Sequence, residues 1–129
     1  MSERHPIIAI TGSSGAGTSS VTRTFQNIFN REGIKAAVIE GDSFHRYDRL
    51  EMRARQKAAE ADGNRNFSHF GAENNLFQEL EDLFRAYSES GSGQRRKYLH
   101  DPVEAAPYHQ EPGTFTDWET LPADTDMLF

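Results

Sequence analysis

Nine residues, Gly12-Ser13-Ser14-Gly15-Ala16-Gly17-Thr18-Ser19-Ser20, stand one residue after a short apolar run, Pro6-Ile7-Ile8-Ala9-Ile10. They fit the phosphate-loop pattern G-x-x-x-x-G-K-[ST] at Gly12, Gly17 and Ser19, but Thr18 stands where the lysine belongs. Phosphates need several donors converging without a wall of side chains. Glycines let the backbone curl so that successive N–H groups point inward, and a following helix adds the positive end of its dipole. Ser19 is placed to offer a hydroxyl to Mg²⁺ beside the phosphates. The missing lysine removes one cation and leaves the backbone cradle intact. Two other readings stay open: a strand-to-helix turn that is glycine-rich for geometry alone, and the glycine turn of a dinucleotide fold. The dinucleotide turn wants a glycine where Thr18 stands, whereas its ribose acid has two candidates, Glu40 and Asp42, and so does not discriminate.

Asp42 follows a second apolar run, Ile34 to Ile39. At the carboxyl edge of a sheet, a carboxylate can accept the proton of an alcohol as that alcohol attacks a phosphoryl group. It can equally cap a helix. With Ser19, it is the second oxygen donor available to a metal. His45, Arg49 and Arg53 recur at intervals of four, with Arg46 beside His45. On a helix starting near Asp42 they project from one side. Arginine forks suit a phosphate ester, although Asp48 and Glu51 are close enough in sequence to make this an ordinary solvated face. Arg95-Arg96-Lys97-Tyr98-Leu99-His100 forms a second polar cluster.

The elements that must position these residues read as strand, glycine turn, helix, strand. Pro6–Ile10 has no alternation, which predicts a strand buried on both faces of a parallel sheet. Val21, Phe25, Ile28 and Phe29 define one helical face, and Gly33 stands where a left-handed cap ends a helix. Ile34–Ile39 is a second strand, giving a βαβ unit with a right-handed crossover. Leu76, Phe77, Leu80, Leu83, Phe84 and Tyr87 predict a helix over 73–88 whose apolar stripe packs in the core. Residues 63–71 read as a loop, 95–100 as a short strand, 101–112 as loop, 114–118 as a returning partner strand, and Met127-Leu128-Phe129 as a third core strand.

Length and composition narrow the classes. The 129 residues, 36% hydrophobic and 26% charged, describe one globular domain with no second. No apolar run approaches the roughly 20 residues needed to span a bilayer, and the first residues lack a secretory pattern, so a cytoplasmic location without membrane association is expected. Cysteine is absent. The net charge of -6 is uneven: all 14 Lys and Arg lie at or before Lys97, with seven acids and no Lys or Arg from Tyr98 onward. A nucleic-acid binder shows a net basic domain, so the local cations suit a small phosphorylated ligand.

Five ordered blocks, "IIAITGSSGAGTSSV", "VIEGDSFHR", "NFSHFGAENN", "RKYLHD" and "PGTFTDWETLPADTDMLF", resemble the phosphoribulokinase family in its bacterial, Calvin-cycle form, from end to end of the chain. That branch is similar in carrying Thr rather than Lys in the loop. The resemblance implies an α/β, P-loop NTPase-like (adenylate-kinase-like) parallel sheet flanked by helices, of which residues 1–129 form a truncated N-terminal part. It implies transfer of the γ-phosphoryl of ATP, with Mg²⁺, to the 1-hydroxyl of ribulose 5-phosphate. Matched position by position, Gly12 to Ser20 hold ATP with Ser19 near the metal, Asp42 is the base, and His45, Arg49, Tyr98 and His100 bind the sugar phosphate. Position 53, where the family tends to Lys, is Arg53. The full-length family implies a homo-oligomer, with further cations and a second metal-binding acid beyond Phe129. This polypeptide alone is therefore expected to fold poorly and be inactive. A non-catalytic nucleotide-binding module and another P-loop kinase, acting on uridine or pantothenate, are the alternatives.

Overall fold

The computed structural model describes residues 3–13 and 15–129. In chain order its named elements are α1 (Thr18–Glu32), β1 (Ala36–Ala37), α2 (Arg49–Ala61), α3 (Phe77–Ser90), β2 (Gln94–Arg95), α4 (Pro102–Ala105), β3 (Glu119–Thr120) and β4 (Met127–Leu128). Short 3₁₀ turns cover Gly41–Phe44, Ala72–Asn74 and Ala106–Tyr108. The chain divides into two compact units, one made of the chain up to Ile39 with Asp82–Gln94 and Thr120–Phe129, the other of Glu40–Glu81 and Arg95–Glu119.

In the first unit β1 and β4 run parallel, with Ala36 opposite Met127 and Ala37 opposite Leu128. Leu128 also bridges Ile7 in parallel, so β4 lies between the two strands of the expected βαβ unit. Ile8 donates to the Leu128 carbonyl at 3.0 Å, and Leu128 donates to the Pro6 carbonyl at 3.0 Å. Helix α1 covers this sheet through Phe29, which is buried with Met127 and Phe129 and packs against Phe25, Ile34, Ala36 and Val38. It ends as the sequence predicts, with Gly33 left-handed at φ 69° and its N–H on the Phe29 and Asn30 carbonyls. The expectation that Pro6–Ile10 is buried on both faces is corrected. Ile8 and Ile10 are 40% and 37% exposed, and only Ile7 forms a bridge. An uninterrupted apolar run marks the residues able to be covered, and cannot say that a neighbour covers them.

Helix α3 contributes its residues from Asp82 onward to the first unit. Its Leu83 and Tyr87 are buried, and the Tyr87 hydroxyl shares a 2.8 Å hydrogen bond with the Thr125 hydroxyl. The helix begins at Phe77, not at Glu73: Ala72–Asn74 forms a 3₁₀ turn and Asn75 is extended. Phe77, counted in the core stripe, is 55% exposed. The expected loop over 101–112 contains α4 and the 3₁₀ turn after it, started by Asp101, whose side chain accepts the Glu104 amide.

The second unit is built on Phe44, Met52, Leu99 and Ala105, all buried. Antiparallel bridges join His45 to Asn75 and Tyr98 to Phe115. The single helix expected from Asp42 onward does not form. Gly41–Phe44 is a 3₁₀ turn, His45 is extended at φ -63°, ψ 145°, and α2 starts only at Arg49, capped by Asp48. Asp48 outcompetes Asp42 as a cap because its carboxylate accepts the Glu51 amide at 2.9 Å, and Glu51 adds an acid to the first turn.

Candidate active site

The glycine loop belongs to the first unit. Gly15 and Gly17 have φ of 81° and 87°, values open to glycine and costly for residues with a Cβ. Gly17 sits at the N-cap of α1, with no side chain capping the helix and no acid in its first turn. The Ala16 amide donates to the Ser13 carbonyl at 3.0 Å, and the Val21 amide to the Gly17 carbonyl at 3.1 Å. A Cβ on Gly12 would stand 3.1 Å from the Thr18 side chain and 3.2 Å from that of Ala16, so the turn closes tightly there. Ser19 is exposed in the first helical turn and Thr18 half-buried. A helix start with uncapped amides, entered through left-handed glycines, is a place for an anion. Ser14 lies outside the described residues.

The second unit collects the other candidates around Asp42. One carboxylate oxygen is 3.4 Å from His45 Nε2 and the other 3.0 Å from His100 Nε2. The protonation of both rings follows from their partners. The Asn75 amide nitrogen donates to the carbonyls of His69 and Gly71, both at 2.8 Å, which leaves the Asn75 side-chain oxygen as an acceptor. His45 Nδ1, 2.9 Å from that oxygen, must therefore be the donor. Its Nε2 attracts the Asp42 carboxylate only as part of an imidazolium. His100 lies between two carboxylates, with Nδ1 at 2.9 Å from Glu104 and Nε2 on Asp42, which again favours the cation.

The titration behaviour agrees. Hydrogen bonding to Asp42 raises the His45 pKa above its ordinary value against the cost of burial, helped by Asn75. Burial pulls His100 down, but hydrogen bonds to Asp42 and Glu104 outweigh it and the net shift is upward. Asp42 is held well below the usual carboxylate range, chiefly by its hydrogen bond to His45 and also by His100, with burial opposing. Glu40 is raised by burial. His69, whose ring centre lies 4.7 Å from that of His45 with the two planes tilted at 43°, is lowered by burial and by the His45 charge.

Arg49 and Tyr98 border this cluster. Arg49 Nη2 donates to the His100 carbonyl at 2.8 Å, its guanidinium carbon lies 5.9 Å from the Tyr98 ring centre, and Tyr98 stands edge-on to His100 at 4.8 Å. Five predicted residues, Asp42, His45, Arg49, Tyr98 and His100, are thus brought together, although the helical spacing that suggested two of them, His45 and Arg49, is absent between those two. Arg53 is exposed on α2, one turn beyond Arg49, and no described contact joins it to the cluster. Two participants were not singled out as site residues. Glu104 accepts from both the backbone and the ring of His100, and the Asp-Pro-x-Glu spacing of a short capped helix was its available signal. Arg96 donates to the carbonyls of Ser43 and His45, which no side-chain pattern announces. Among the described residues no group of three or more His, Asp and Glu is arranged to hold a metal ion, and no helix is long and apolar enough to cross a membrane.

Comparison with known proteins identifies the fold and the family. A phosphoribulokinase from Cupriavidus necator encoded on its chromosome is 74% identical over 129 residues, all of this chain and 44% of that protein. The phosphoribulokinase of Nitrobacter vulgaris is 58% identical over the same span and share. Among solved structures, phosphoribulokinase from Rhodobacter spheroides superposes with a TM-score of 0.84 at 46% identity, covering 99% of this chain and 43% of that one. The fold is that of a P-loop kinase, which sets aside the dinucleotide-fold reading of the glycine turn. The chain spans under half the length of these relatives. Residues 7–129 match the Phosphoribulokinase / Uridine kinase family, and the chain belongs to that family.

Proposed function

We propose that this chain carries the nucleotide loop and much of the acceptor pocket of a kinase that transfers the γ-phosphoryl of ATP to the 1-hydroxyl of ribulose 5-phosphate. The observation that carries the reading is the Asp42 cluster: one ionised carboxylate flanked by two imidazolium-forming rings and bordered by the Arg49 fork. A sugar phosphate presents both a hydroxyl and an ester dianion. Asp42 accepts the hydroxyl proton, while His45, His100 and Arg49 compensate the dianion. The depressed pKa of Asp42 makes it a weak base, which suits phosphoryl transfer through a loose transition state, where the attacking hydroxyl stays protonated until late. Glu104 fixes the plane and charge of His100, and Asn75 those of His45. Arg53, a turn further along α2, joins the substrate only if the phosphate reaches it.

The amides of Gly12 to Ser20 grip the phosphates of ATP. Ser19 would offer its hydroxyl oxygen to a hard cation such as Mg²⁺. Asp42 fits that role less well, since both its oxygens already face imidazoles. When bound, Mg²⁺ neutralises charge on the transferring phosphates. The absence of any described membrane-spanning helix and the local, anion-directed cations favour a small metabolite over a membrane or nucleic acid, in the cytoplasm. Homo-oligomer formation is proposed for the full-length relatives' architecture.

Isothermal titration calorimetry with ribulose 5-phosphate, unphosphorylated ribulose and uridine tests the assignment. The sugar phosphate is expected to bind; introduced into a full-length kinase that carries this segment, Asp42→Asn is expected to retain that binding and to remove phosphoryl transfer. Binding of uridine in preference to the sugar phosphate would move the chain to the nucleoside-kinase side of its family.

A further inference from the structure

The turn that presents Asp42 is anchored by buried Phe44, whose carbonyl accepts the Leu76 amide at 2.7 Å, and by the Ser43 hydroxyl, which donates to the Glu40 carbonyl at 2.6 Å. Gly41–Phe44 is a four-residue 3₁₀ segment, without a side-chain cap at Glu40, and such turns fix many dihedrals for few bonds. Its trailing carbonyls also need partners. Ser43 is buried, 1% exposed, and a buried carbonyl without a partner costs about as much as a lost hydrogen bond. Arg96 meets this need with two nitrogens at once. Nε donates to the Ser43 carbonyl at 2.7 Å and Nη2 to the His45 carbonyl at 2.6 Å. The guanidinium is itself held between rings, 3.6 Å from the Phe115 centre and 4.8 Å from that of Trp118. Trp118 stands edge-on to Phe44, a residue of the same turn, at 5.6 Å.

The geometry points to Arg96 as a positioning residue. Its fork closes the end of the Gly41–Phe44 turn and thereby sets the Asp42 and His45 side chains, acting through the backbone rather than on the substrate. The role in sugar-phosphate recognition rests on the function proposed above; the closure of the turn does not. Lysine keeps the charge but cannot satisfy two carbonyls and a ring stack from one planar group, so Arg96→Lys separates geometry from charge.

Two measurements on a full-length kinase that carries this segment, wild type and R96K, test this. Amide hydrogen exchange followed by NMR reads the turn through the Ser43 and His45 amides, which donate to the Glu40 and Asp42 carbonyls. In R96K these two are expected to lose protection at least about tenfold, while the β1 and β4 amides keep theirs. Unchanged protection overturns the inference. Loss of protection throughout the chain overturns it too, since Arg96 would then brace the fold and not the turn. Calorimetry then compares ligands: R96K should weaken ribulose 5-phosphate by a similar factor and leave ATP unchanged. Parallel loss of both ligands, or normal sugar-phosphate binding alongside an opened turn, overturns the positioning role. If the wild-type full-length protein binds no ribulose 5-phosphate at all, the functional reading fails and the exchange result alone decides on Arg96.

Discussion

At the scale of single residues, the site works by matching hydrogen-bond partners to protonation states. Asn75 has both amide hydrogens committed, so it dictates which nitrogen of His45 carries a proton, and the facing carboxylate then favours the second. This arrangement has a consequence for stability. His45 and His100 are raised above their ordinary 6.5, so their contribution is full below that value and disappears as pH climbs through the folded-state values. Asp42 is depressed below its ordinary 3.8, so its contribution is full above that value and fades as pH falls through the folded-state value. The cluster therefore stabilises the second unit most between about pH 4 and 6.5. Asp42→Asn should flatten that dependence. Melting temperatures of the two proteins across pH 3.5 to 8.5 check it, and equal profiles would contradict the imidazolium assignment. The Asp42 side chain is 54% exposed, so solvent screening keeps the amplitude modest.

At the scale of elements, α2 depends on its first turn. Its sequence has few apolar positions and only Met52 is buried, so little packing energy holds it, and the Asp48 cap carries a larger share. Asp48→Ala is expected to cost about 1 kcal/mol, measured by urea unfolding, and to lower α2 helicity. Asp48→Asn, which keeps an acceptor for the Glu51 amide, should cost less. The same helix shows why only part of the structure was legible. The 3.6-residue pattern over Val21, Phe25, Ile28 and Phe29 predicts a helix over 19–31, within a residue of α1 at each end, because one face alone is apolar and Gly33 closes it. "EGDSFHRYD" has no such pattern. Reading it as helix from Asp42 took an i, i+4 recurrence of basic residues for a structural period, when the Asp48-x-x-Glu51 start signal lay further on. Asp42 was readable because strand ends in α/β proteins collect functional groups. Arg96 was not, since its partners are main-chain carbonyls more than 50 residues away and no side-chain type marks a carbonyl that needs a donor. Glu104 fell between, visible as part of a cap and silent about His100.

At the scale of the molecule, the sheet ties segments far apart in the chain to one strand. Leu128, 1% exposed, bridges Ile7 on one side and pairs with Ala37 on the other, and its backbone makes two hydrogen bonds to the N-terminal segment. Neither partner can form without β4, so the first unit should assemble late and cooperatively, after the entropy of closing long loops is spent. Removing the side chain at this point tests that dependence. Leu128→Ala leaves a cavity between the strands and is expected to cost about 2–5 kcal/mol, whereas Ile8→Ala, at a position 40% exposed on the same ladder, should stay near 0.5 kcal/mol. Urea unfolding curves give both values, and hydrogen exchange shows where the loss falls. If β4 is the keystone, Leu128→Ala deprotects the amides of Ile8 and Ile39, which donate to the Leu128 and Phe129 carbonyls, together. Deprotection of one without the other would mean that the two flanking segments are held independently, and that the parallel sheet is not a single cooperative element.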